Sequence, residues 1–222
     1  MKNQTYKLIS LTLTNSDVFD EDICIEFDKR GTIIQSPNGG YKSTLVNAMK
    51  TGIWPYGGEF NLEAFEGGVD PKYLDLIYVD GESFLGRGDF ELYLTEYGVR
   101  NSTEFNNLVH QQMKLFDFYP FNQYCQTVNE DPLGYRLNDL AAGEVRILLH
   151  VLLICLRKYY GVCGALILDA PFHVLSYPHR NYIYKMLLEC CDQVIIFSSQ
   201  QGLDGLDLDA NEVNVISLKP KF

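Results

Sequence analysis

One short segment of the 222-residue chain has the residue types that hold a nucleotide phosphate. It reads Ser36-Pro37-Asn38-Gly39-Gly40-Tyr41-Lys42-Ser43-Thr44. Glycines let successive backbone N–H groups converge on phosphate oxygens, a lysine reaches the β and γ oxygens, and a serine or threonine hydroxyl binds magnesium. The segment therefore predicts a phosphate loop in which Lys42 contacts the phosphates and Ser43 contacts the magnesium ion.

Two positions of this loop depart from the strict pattern, which has glycine where Ser36 and Tyr41 stand. A Cβ atom at Tyr41 is expected to strain the loop or to block the close approach of a phosphate, and Gly40 is expected to compensate in part. The alternative is a glycine turn that only caps a helix. The loop follows an apolar strand and precedes a helix-forming segment, and this setting favours the phosphate loop.

The elements before the loop place it at the end of a strand. Apolar and polar residues alternate over 7–14 and over 23–27, which predicts an antiparallel pair joined by an acidic turn. A third strand over 31–35 leads into the loop, and a helix over 42–49 follows it. The N-terminal quarter thus predicts strand, glycine loop and helix in that order.

The middle of the chain has weaker patterns. Glycine, proline and aromatic residues dominate 51–68 and predict irregular structure. Short strands are predicted over 76–79 and 91–94, and a helix with a serine or threonine cap is predicted over 103–115.

The last third predicts helices and strands in alternation. They are a helix over 143–160, a strand over 165–168 that ends at Asp169, a helix over 178–189, a strand over 193–197, an acidic loop over 202–211 and a final strand over 212–218. Strands that alternate with helices predict a mostly parallel sheet covered on both faces.

The order of these motifs resembles the head domains of SMC-like and RecF-like ABC ATPases. The two opening strands followed by Pro37-Asn38-Gly39 and Lys42-Ser43-Thr44-Leu45 resemble the N-terminal half of such a head. Three later segments resemble the signature motif, the Walker B strand and the strand before the switch histidine: Leu140-Ala141-Ala142-Gly143-Glu144, Leu166-Ile167-Leu168-Asp169-Ala170-Pro171-Phe172 and Gln193-Val194-Ile195-Ile196-Phe197-Ser198-Ser199.

The resemblance covers 7–50 and 137–200 and implies an α/β fold of the P-loop NTPase class. The expected architecture is an ABC-type head with a mostly parallel central sheet, helices on both faces and an N-terminal antiparallel strand pair. SMC-type heads are interrupted by a long coiled coil, for which the middle segment is too short. We therefore expect a single head domain over 1–222, with 51–136 as an unassigned lobe or insert.

Carried over position by position, the resemblance implies that ATP and Mg²⁺ are the cofactors. The positions expected to bind the nucleotide are Asn38, Gly39, Gly40, Tyr41, Lys42, Ser43 and Thr44 in the loop, and Ala141, Gly143 and Glu144 in the signature motif. The signature of one head is expected to reach the nucleotide held by a second head. Ser43 and Asp169 are the expected magnesium ligands.

Several positions that catalyse hydrolysis in the family carry other residues here. The general base is the glutamate after the Walker B aspartate, and that position is Ala170, whose methyl group cannot deprotonate water. The switch histidine is Ser199, the signature serine is Ala141 and the D-loop aspartate is Ser176. An engineered replacement would explain Ala170 alone, whereas natural divergence explains all these changes together.

Other polar residues have a plainer interpretation beside a functional one. Glu144 suits the N-terminus of a helix through the helix dipole as well as it suits a role at the site. Gln111 and Gln112 could include a magnesium-sensing glutamine, although surface glutamines are commoner on a helix. Asp80 and Glu82 fit an exposed turn better than a metal site.

Composition narrows the class of protein. The formal net charge of −11 disfavours a broad nucleic-acid or anionic-membrane surface. Six cysteines without CxxC spacing predict reduced thiols and a cytoplasmic protein, and four histidines without metal spacing predict no zinc site. Among them, His173 is no obvious substitute for the missing catalytic groups. The longest apolar run is broken by Arg146 and His150, so no membrane span is predicted.

The first hypothesis for function is an ATP-binding switch. Two heads would close as a homodimer around the nucleotide, and hydrolysis would be slow or absent. The resemblance implies a protein effector in DNA repair or genome defence, while direct nucleic-acid binding stays open. One alternative is a pseudo-ATPase scaffold or regulatory subunit without nucleotide binding, which Tyr41 favours. Another is an active ATPase whose base comes from elsewhere, for example Glu144 or an acid of the partner.

Overall fold

The computed structural model describes residues 4–67, 71–79, 94–100, 102–114 and 141–221. The elements in these ranges are, in chain order, β1 Gln4–Thr14, β2 Ile23–Glu26, β3 Gly31–Gln35, α1 Lys42–Thr51, β4 Glu59–Gly67, a 3₁₀ helix Pro71–Leu76, β5 Tyr78–Val79, α2 Thr103–Lys114, α3 Ala142–Tyr160, β6 Val162–Asp169, α4 Tyr177–Cys190, β7 Gln193–Ser198, α5 Gln200–Leu203 and β8 Val213–Ser217.

The strands form one sheet with a parallel and an antiparallel part. Its order is β2-β1-β6-β7-β3-β8, with β4 also paired to β1 and β5 to β6. The pairs between β5, β6, β7, β3 and β8 are parallel, and β1 pairs antiparallel with β2 and β4. Every residue of β7 is buried. Since successive strand residues point to opposite faces, both faces of the parallel part are covered.

Strand β1 changes its neighbour along its length. It pairs parallel with β6 over Gln4 to Tyr6 and then antiparallel with β2 from Ser10 onward. Between these two pairings, where β1 leaves β6, the buried side-chain amide of Gln193 accepts a hydrogen bond from the Leu8 N–H at 2.9 Å. It also donates to the carbonyl oxygens of Leu8 and Phe27. The side chain therefore satisfies main-chain groups that lack a strand partner there.

The predicted α/β fold class and the predicted opening antiparallel pair are confirmed. The irregular structure predicted over 51–68 is wrong for its second half, because β4 runs over nine residues there and pairs with β1. Phe60, Leu62 and Ala64 are half-buried, while Glu63 and Phe65 are exposed, as expected of a strand with one covered face. Among the described residues of this range, irregular structure is confined to 52–58.

Smaller differences concern element ends. The strand predicted over 76–79 is reduced to Tyr78–Val79, since a 3₁₀ helix occupies the preceding residues. The strand predicted over 91–94 lies outside the described residues, except Leu94, which begins a helical turn. The predicted cap of α2 is confirmed, because the Ser102 hydroxyl accepts a hydrogen bond from the Phe105 N–H at 3.2 Å. The acidic loop predicted over 202–211 begins later, after α5.

Helix α3 is attached to the sheet by a buried arginine. The Arg157 guanidinium donates to the carbonyl oxygens of Leu76 at 2.6 Å, Gly164 at 3.0 Å and Ala165 at 3.1 Å. These bonds connect the C-terminal end of α3 to β6 and the 3₁₀ helix, which fixes the opposite end of α3 relative to the sheet. No helix among the described residues is both long enough and apolar enough to cross a membrane.

Candidate functional site

The glycine loop joins β3 to α1 at the carboxyl edge of the parallel strands. Its first residue, Ser36, donates its N–H to the carbonyl of Ser198 at the end of β7, at 3.0 Å. The Gly40 N–H donates to the Pro37 carbonyl at 3.0 Å and closes a turn. Gly39 has a φ of +78°, and among the described residues no heavy atom lies within 4 Å of the place its Cβ would take. The loop is therefore open on one side.

Tyr41 adopts the backbone conformation that glycine normally supplies. Its φ of 60° and ψ of 17° lie in the left-handed region, which costs roughly 1–2 kcal/mol for a residue with a Cβ. Its ring packs edge-on against Phe19 at 5.8 Å and Tyr56 at 5.0 Å between centroids. Trp54 packs on both of these rings, and we call the four residues the aromatic cluster. The expected strain is present, and the ring is held by this cluster.

Ser36, the other departure from the strict pattern, contacts Gly40. Ser36 is 1% exposed, and its hydroxyl donates to the Gly40 carbonyl at 2.9 Å. A Cβ at Gly40 would lie 2.0 Å from the Ser36 Oγ. Gly40 is not among the glycines with positive φ. The expectation that Gly40 compensates for Tyr41 is therefore wrong, because its missing side chain makes room for Ser36 instead.

Lys42 begins α1 and lies back along the loop. Its ammonium donates to the carbonyl oxygens of Ser36 at 2.9 Å and Pro37 at 2.7 Å. Burial lowers the pKa of the Lys42 ammonium, and attraction to Asp169 opposes this effect. A phosphate bound in the loop would offer charged oxygens in place of the two carbonyls, and hydrogen bonds to charged groups are the stronger ones.

Ser43 and Asp169 bring two oxygens together beside the loop. The Ser43 hydroxyl, in the first turn of α1, donates to an Asp169 carboxylate oxygen. Asp169 ends β6 and is 6% exposed, so its carboxylate points into the site rather than into bulk water. Magnesium prefers such oxygens and takes its other ligands from phosphates and water. The donor set fits a magnesium ion held by Ser43 and Asp169. Thr44 follows in the same turn, and Asn38 is exposed on the loop.

The signature segment stands apart from the loop. Ala141 caps α3, and its N–H donates to the Glu144 carboxylate at 2.8 Å. Ala141 has no side-chain acceptor, so only the glutamate half of a capping box exists. The position of a Cβ on Gly143 would be 3.5 Å from the Val174 carbonyl. In the described part of the chain, none of the hydrogen bonds of 141–144 reaches the phosphate loop.

The turn after β6 contains two residues with unusual backbones. Ala170 has a φ of 48° and donates its N–H to the Phe197 carbonyl at 2.9 Å. Val174 has a φ of 64°, a conformation that is rare for a β-branched residue, and it is 50% exposed. Ser176 is the N-cap residue of α4, and its hydroxyl is hydrogen-bonded to the His179 Nδ1 at 3.0 Å. Ala170 follows Asp169 directly and Ser176 precedes α4, and neither side chain brings a carboxylate.

The remaining candidates are placed as follows. Ser199 follows β7 and caps the short α5. Gln112 is buried and accepts a hydrogen bond from Lys158 at 2.8 Å, so it belongs to the packing of α2 on α3. Gln111 is exposed. Leu140, Asp80 and Glu82 lie outside the described residues.

Sequence reasoning missed two groups at the site. One is the aromatic cluster. Aromatic residues in the segments before and after the glycine loop were the sequence feature that could have predicted it. The other is the pair Gln35 and Gln200, where the Gln35 amide donates to the Gln200 carbonyl oxygen at 2.5 Å. Gln35 precedes the loop and Gln200 follows Ser199. Their pairing depends on the β3–β7 register, which no local pattern specifies.

Comparison with known proteins identifies the fold. No family model matches the chain, and no curated protein matches its sequence. An ABC transporter ATP-binding protein from Pyrococcus furiosus has a TM-score of 0.53 and 17% identity, covering 96% of this chain and 100% of that one. An SMC head domain from Thermotoga maritima has a TM-score of 0.52 and 17% identity, covering 97% and 99%.

A third solved structure, a nucleotide-free ATP-binding cassette from an ABC transporter, has a TM-score of 0.53 and 14% identity, covering 96% of this chain and 92% of that one. All three likenesses extend over almost the whole of both chains. At such identities they establish the fold alone. The chain has the fold of an ABC-type ATPase head, as the order of its motifs predicted.

Proposed function

We propose that this chain binds ATP with Mg²⁺ and acts as a nucleotide-dependent switch. The observation that carries the proposal is the contact between Ser43 and Asp169, two oxygen ligands that lie 126 residues apart in sequence and meet beside the phosphate loop. A loop that only capped a helix would not require a buried carboxylate opposite its first turn. Lys42 lies in the same place with its ammonium directed at the loop backbone.

The position of Tyr41 supports nucleotide binding over a scaffold that has lost it. Its backbone keeps the left-handed geometry of the glycine it replaces, and its ring packs on the aromatic cluster. Aromatic pairs of this kind contribute roughly 0.5–1.5 kcal/mol each, which is comparable with the cost of the backbone conformation. The residue that most favoured the scaffold therefore leaves the loop in a form that can hold phosphate.

The residues after β6 support slow or absent hydrolysis. Ala170 offers a methyl group where a general base would stand, and general bases contribute on the order of 10²–10⁴-fold to a rate. The Glu144 carboxylate is engaged with the Ala141 N–H, so it is not available on its own head. Nucleotide binding rather than turnover would then set the conformation.

We propose further that two heads close as a homodimer around the nucleotide. Val174 is 50% exposed and its carbonyl oxygen lies beside Gly143 of the signature segment, so its side chain offers apolar surface that such closure would cover. The net charge of −11 favours a protein effector over direct nucleic-acid contact, and DNA repair or genome defence is the setting that the resemblance implies. The free cysteines of the described residues are consistent with a cytoplasmic protein. We also propose that the 222 residues form a single head.

The test is equilibrium binding of ATP, with and without Mg²⁺, together with the molecular mass in both states. Lys42→Ala should abolish binding, whereas Lys50→Ala on the same helix should not, because Lys50 pairs with Asp75 at the surface. Binding that depends on Lys42 and doubles the mass would establish the switch. If the protein neither binds ATP nor changes its mass at millimolar ATP, the switch is excluded and the pseudo-ATPase scaffold remains.

A further inference from the structure

We propose that Ser36 is a positioning residue of the phosphate loop, which orients the Tyr41 N–H group toward a bound phosphate, and that Gly40 is required because of Ser36. This inference rests on the proposed ATP binding. The strict loop pattern has glycine at position 36, and glycine has no side chain that could make this contact.

Ser36 is fixed from two sides. Its N–H is bonded to the Ser198 carbonyl at 3.0 Å, which attaches the start of the loop to β7. Its hydroxyl, on a side chain that is 1% exposed, donates to the Gly40 carbonyl at 2.9 Å. A buried hydrogen bond of this kind holds the Gly40 carbonyl against the floor of the loop, since breaking it would leave two buried polar groups without partners.

The orientation of that carbonyl decides the direction of the next N–H. A trans peptide is planar, and its C=O and N–H bonds point in opposite directions. The described residues contain no cis peptide. With the Gly40 carbonyl turned inward to Ser36, the Tyr41 N–H points outward, to the open side of the loop.

This N–H group adjoins others that are also without helical partners. The first backbone bond of α1 runs from the Leu45 N–H to the Tyr41 carbonyl at 2.9 Å, so the N–H groups of the preceding residues in the first turn are left for a ligand. The Gly40 N–H is already used in the turn with Pro37. Ser36 therefore adds the Tyr41 N–H to the anion-binding groups of the helix N-terminus.

Gly40 is tied to Ser36 by space. A Cβ there would lie 2.0 Å from the Ser36 Oγ and 2.8 Å from the Pro37 carbonyl oxygen. Rotating the serine hydroxyl away would relieve the first contact and break its bond to the Gly40 carbonyl. Removing the Ser36 side chain relieves it without that conflict, while the 2.8 Å contact with the Pro37 backbone oxygen remains and requires the turn itself to shift. The side chain gained at Ser36 is thus accommodated by the absence of one at Gly40.

The experiment is a cycle of four proteins: wild type, Ser36→Gly, Gly40→Ala and the double variant. Dissociation constants for ATP with Mg²⁺ are measured by calorimetry, and folding is checked by thermal unfolding. We expect Gly40→Ala to weaken ATP binding about tenfold or more, because overpacking in a fixed loop displaces its N–H groups. The double variant should recover the part of that loss that comes from the clash with Ser36, but it should bind no better than Ser36→Gly, which lacks the hydroxyl bonded to the Gly40 carbonyl. A double variant no better than Gly40→Ala would overturn the spatial coupling.

A second measurement separates orientation from packing. Ser36→Ala keeps most of the side-chain volume and removes the hydroxyl. With ¹⁵N-tyrosine labelling, and Tyr41→Phe to assign the signal, the Tyr41 amide proton should move downfield when ATP binds the wild type and should move much less in Ser36→Ala. Equal shifts in the two proteins would overturn the positioning role. A wild type that binds no ATP would instead refute the proposed function, and the inference with it.

Discussion

The Ser43 hydroxyl donates a hydrogen bond to the Asp169 carboxylate, which joins the first turn of α1 to the end of β6. The contact exists because β6, β7 and β3 are parallel neighbours, so the residues that follow them meet at one edge of the sheet. Parallel strands with helices on both faces commonly bind ligands at this edge. Magnesium would replace the hydrogen bond with two metal–oxygen contacts.

Removal of the Ser43 hydroxyl tests the magnesium site. Ser43→Ala should weaken ATP binding roughly 10- to 100-fold in Mg²⁺, since interactions with charged groups contribute about 1.5–3 kcal/mol, and should change it little in EDTA. Calorimetric titrations under both conditions measure the difference. Ser10→Ala is the matched control, because Ser10 also donates to a carboxylate, that of Glu63, at the surface. An equal loss with and without Mg²⁺ would contradict the assignment of Ser43 to the metal.

Two substitutions at Tyr41 test the strain in the loop. Tyr41→Ala and Tyr41→Gly both remove the ring from the aromatic cluster, but only alanine retains a Cβ in the left-handed conformation. The alanine variant should therefore be less stable than the glycine variant by about 1 kcal/mol. Chemical denaturation of the two proteins measures this difference directly.

The comparison of the two variants cancels the loss of the ring contacts, which is common to both. Equal stabilities would mean that residue 41 leaves the left-handed region once its ring is gone. As a control, Ala48→Gly in the middle of α1 should destabilise the protein, because glycine there is less favourable than alanine by roughly 0.5–1 kcal/mol. Replacing alanine by glycine should thus raise the stability at residue 41 and lower it at residue 48. This opposition distinguishes a local backbone effect from a general effect of glycine.

The sequence predicted the phosphate loop and the strand of Asp169 because both depend on local patterns: a glycine cluster before a helix, and an apolar run that ends in a carboxylate. It did not predict β4, although Phe60, Leu62 and Ala64 alternate with polar residues. The glycines and the single proline just before this strand, Pro55, concealed the alternation. The pairing of β4 with β1 is a tertiary property that overrides so weak a local signal.

The interactions of Ser36 and Gln193 were beyond sequence reasoning for a different reason. Each side chain satisfies backbone groups that become available only once the fold exists. Ser36 bonds the Gly40 carbonyl inside a turn, and Gln193 bonds the main chain of Leu8 where β1 passes from β6 to β2. A buried serine just after one strand and a buried glutamine at the start of another look like errors of patterning until those backbone groups are known.

Acid should destabilise the protein through His150. This side chain is 0% exposed, its Nδ1 is bonded to the Arg146 carbonyl at 2.7 Å, and burial lowers its pKa from 6.5 to about 4. The folded state then binds this proton less readily than the unfolded state. The stability is fully present above pH 6.5 and is lost as the pH falls toward 4, by roughly 2 kcal/mol between pH 7 and pH 5.

Urea denaturation at pH 7 and at pH 5 measures this loss. His150→Leu should reduce the difference between the two pH values by about the same 2 kcal/mol, because leucine does not titrate. His173→Leu is the control, since His173 is exposed and should leave the difference unchanged. If the His150→Leu protein loses as much stability on acidification as the wild type, another group is responsible.

Restoring the general base tests why hydrolysis should be slow. Ala170→Glu places a carboxylate directly after Asp169, and we expect it to raise the rate of ATP hydrolysis on the order of 10²-fold or more. The substitution adds no new backbone strain, because Ala170 already has a Cβ at a φ of 48°. Ala170→Gln is the matched control, with nearly the same shape and no proton acceptor of useful basicity. Acid-quenched single-turnover reactions, which count phosphate whether bound or released, separate chemistry from product release. A rate that rises with glutamate and not with glutamine would show that the missing carboxylate limits turnover, whereas no rise in either would move the limit to Ser199, Ala141 or closure of the heads.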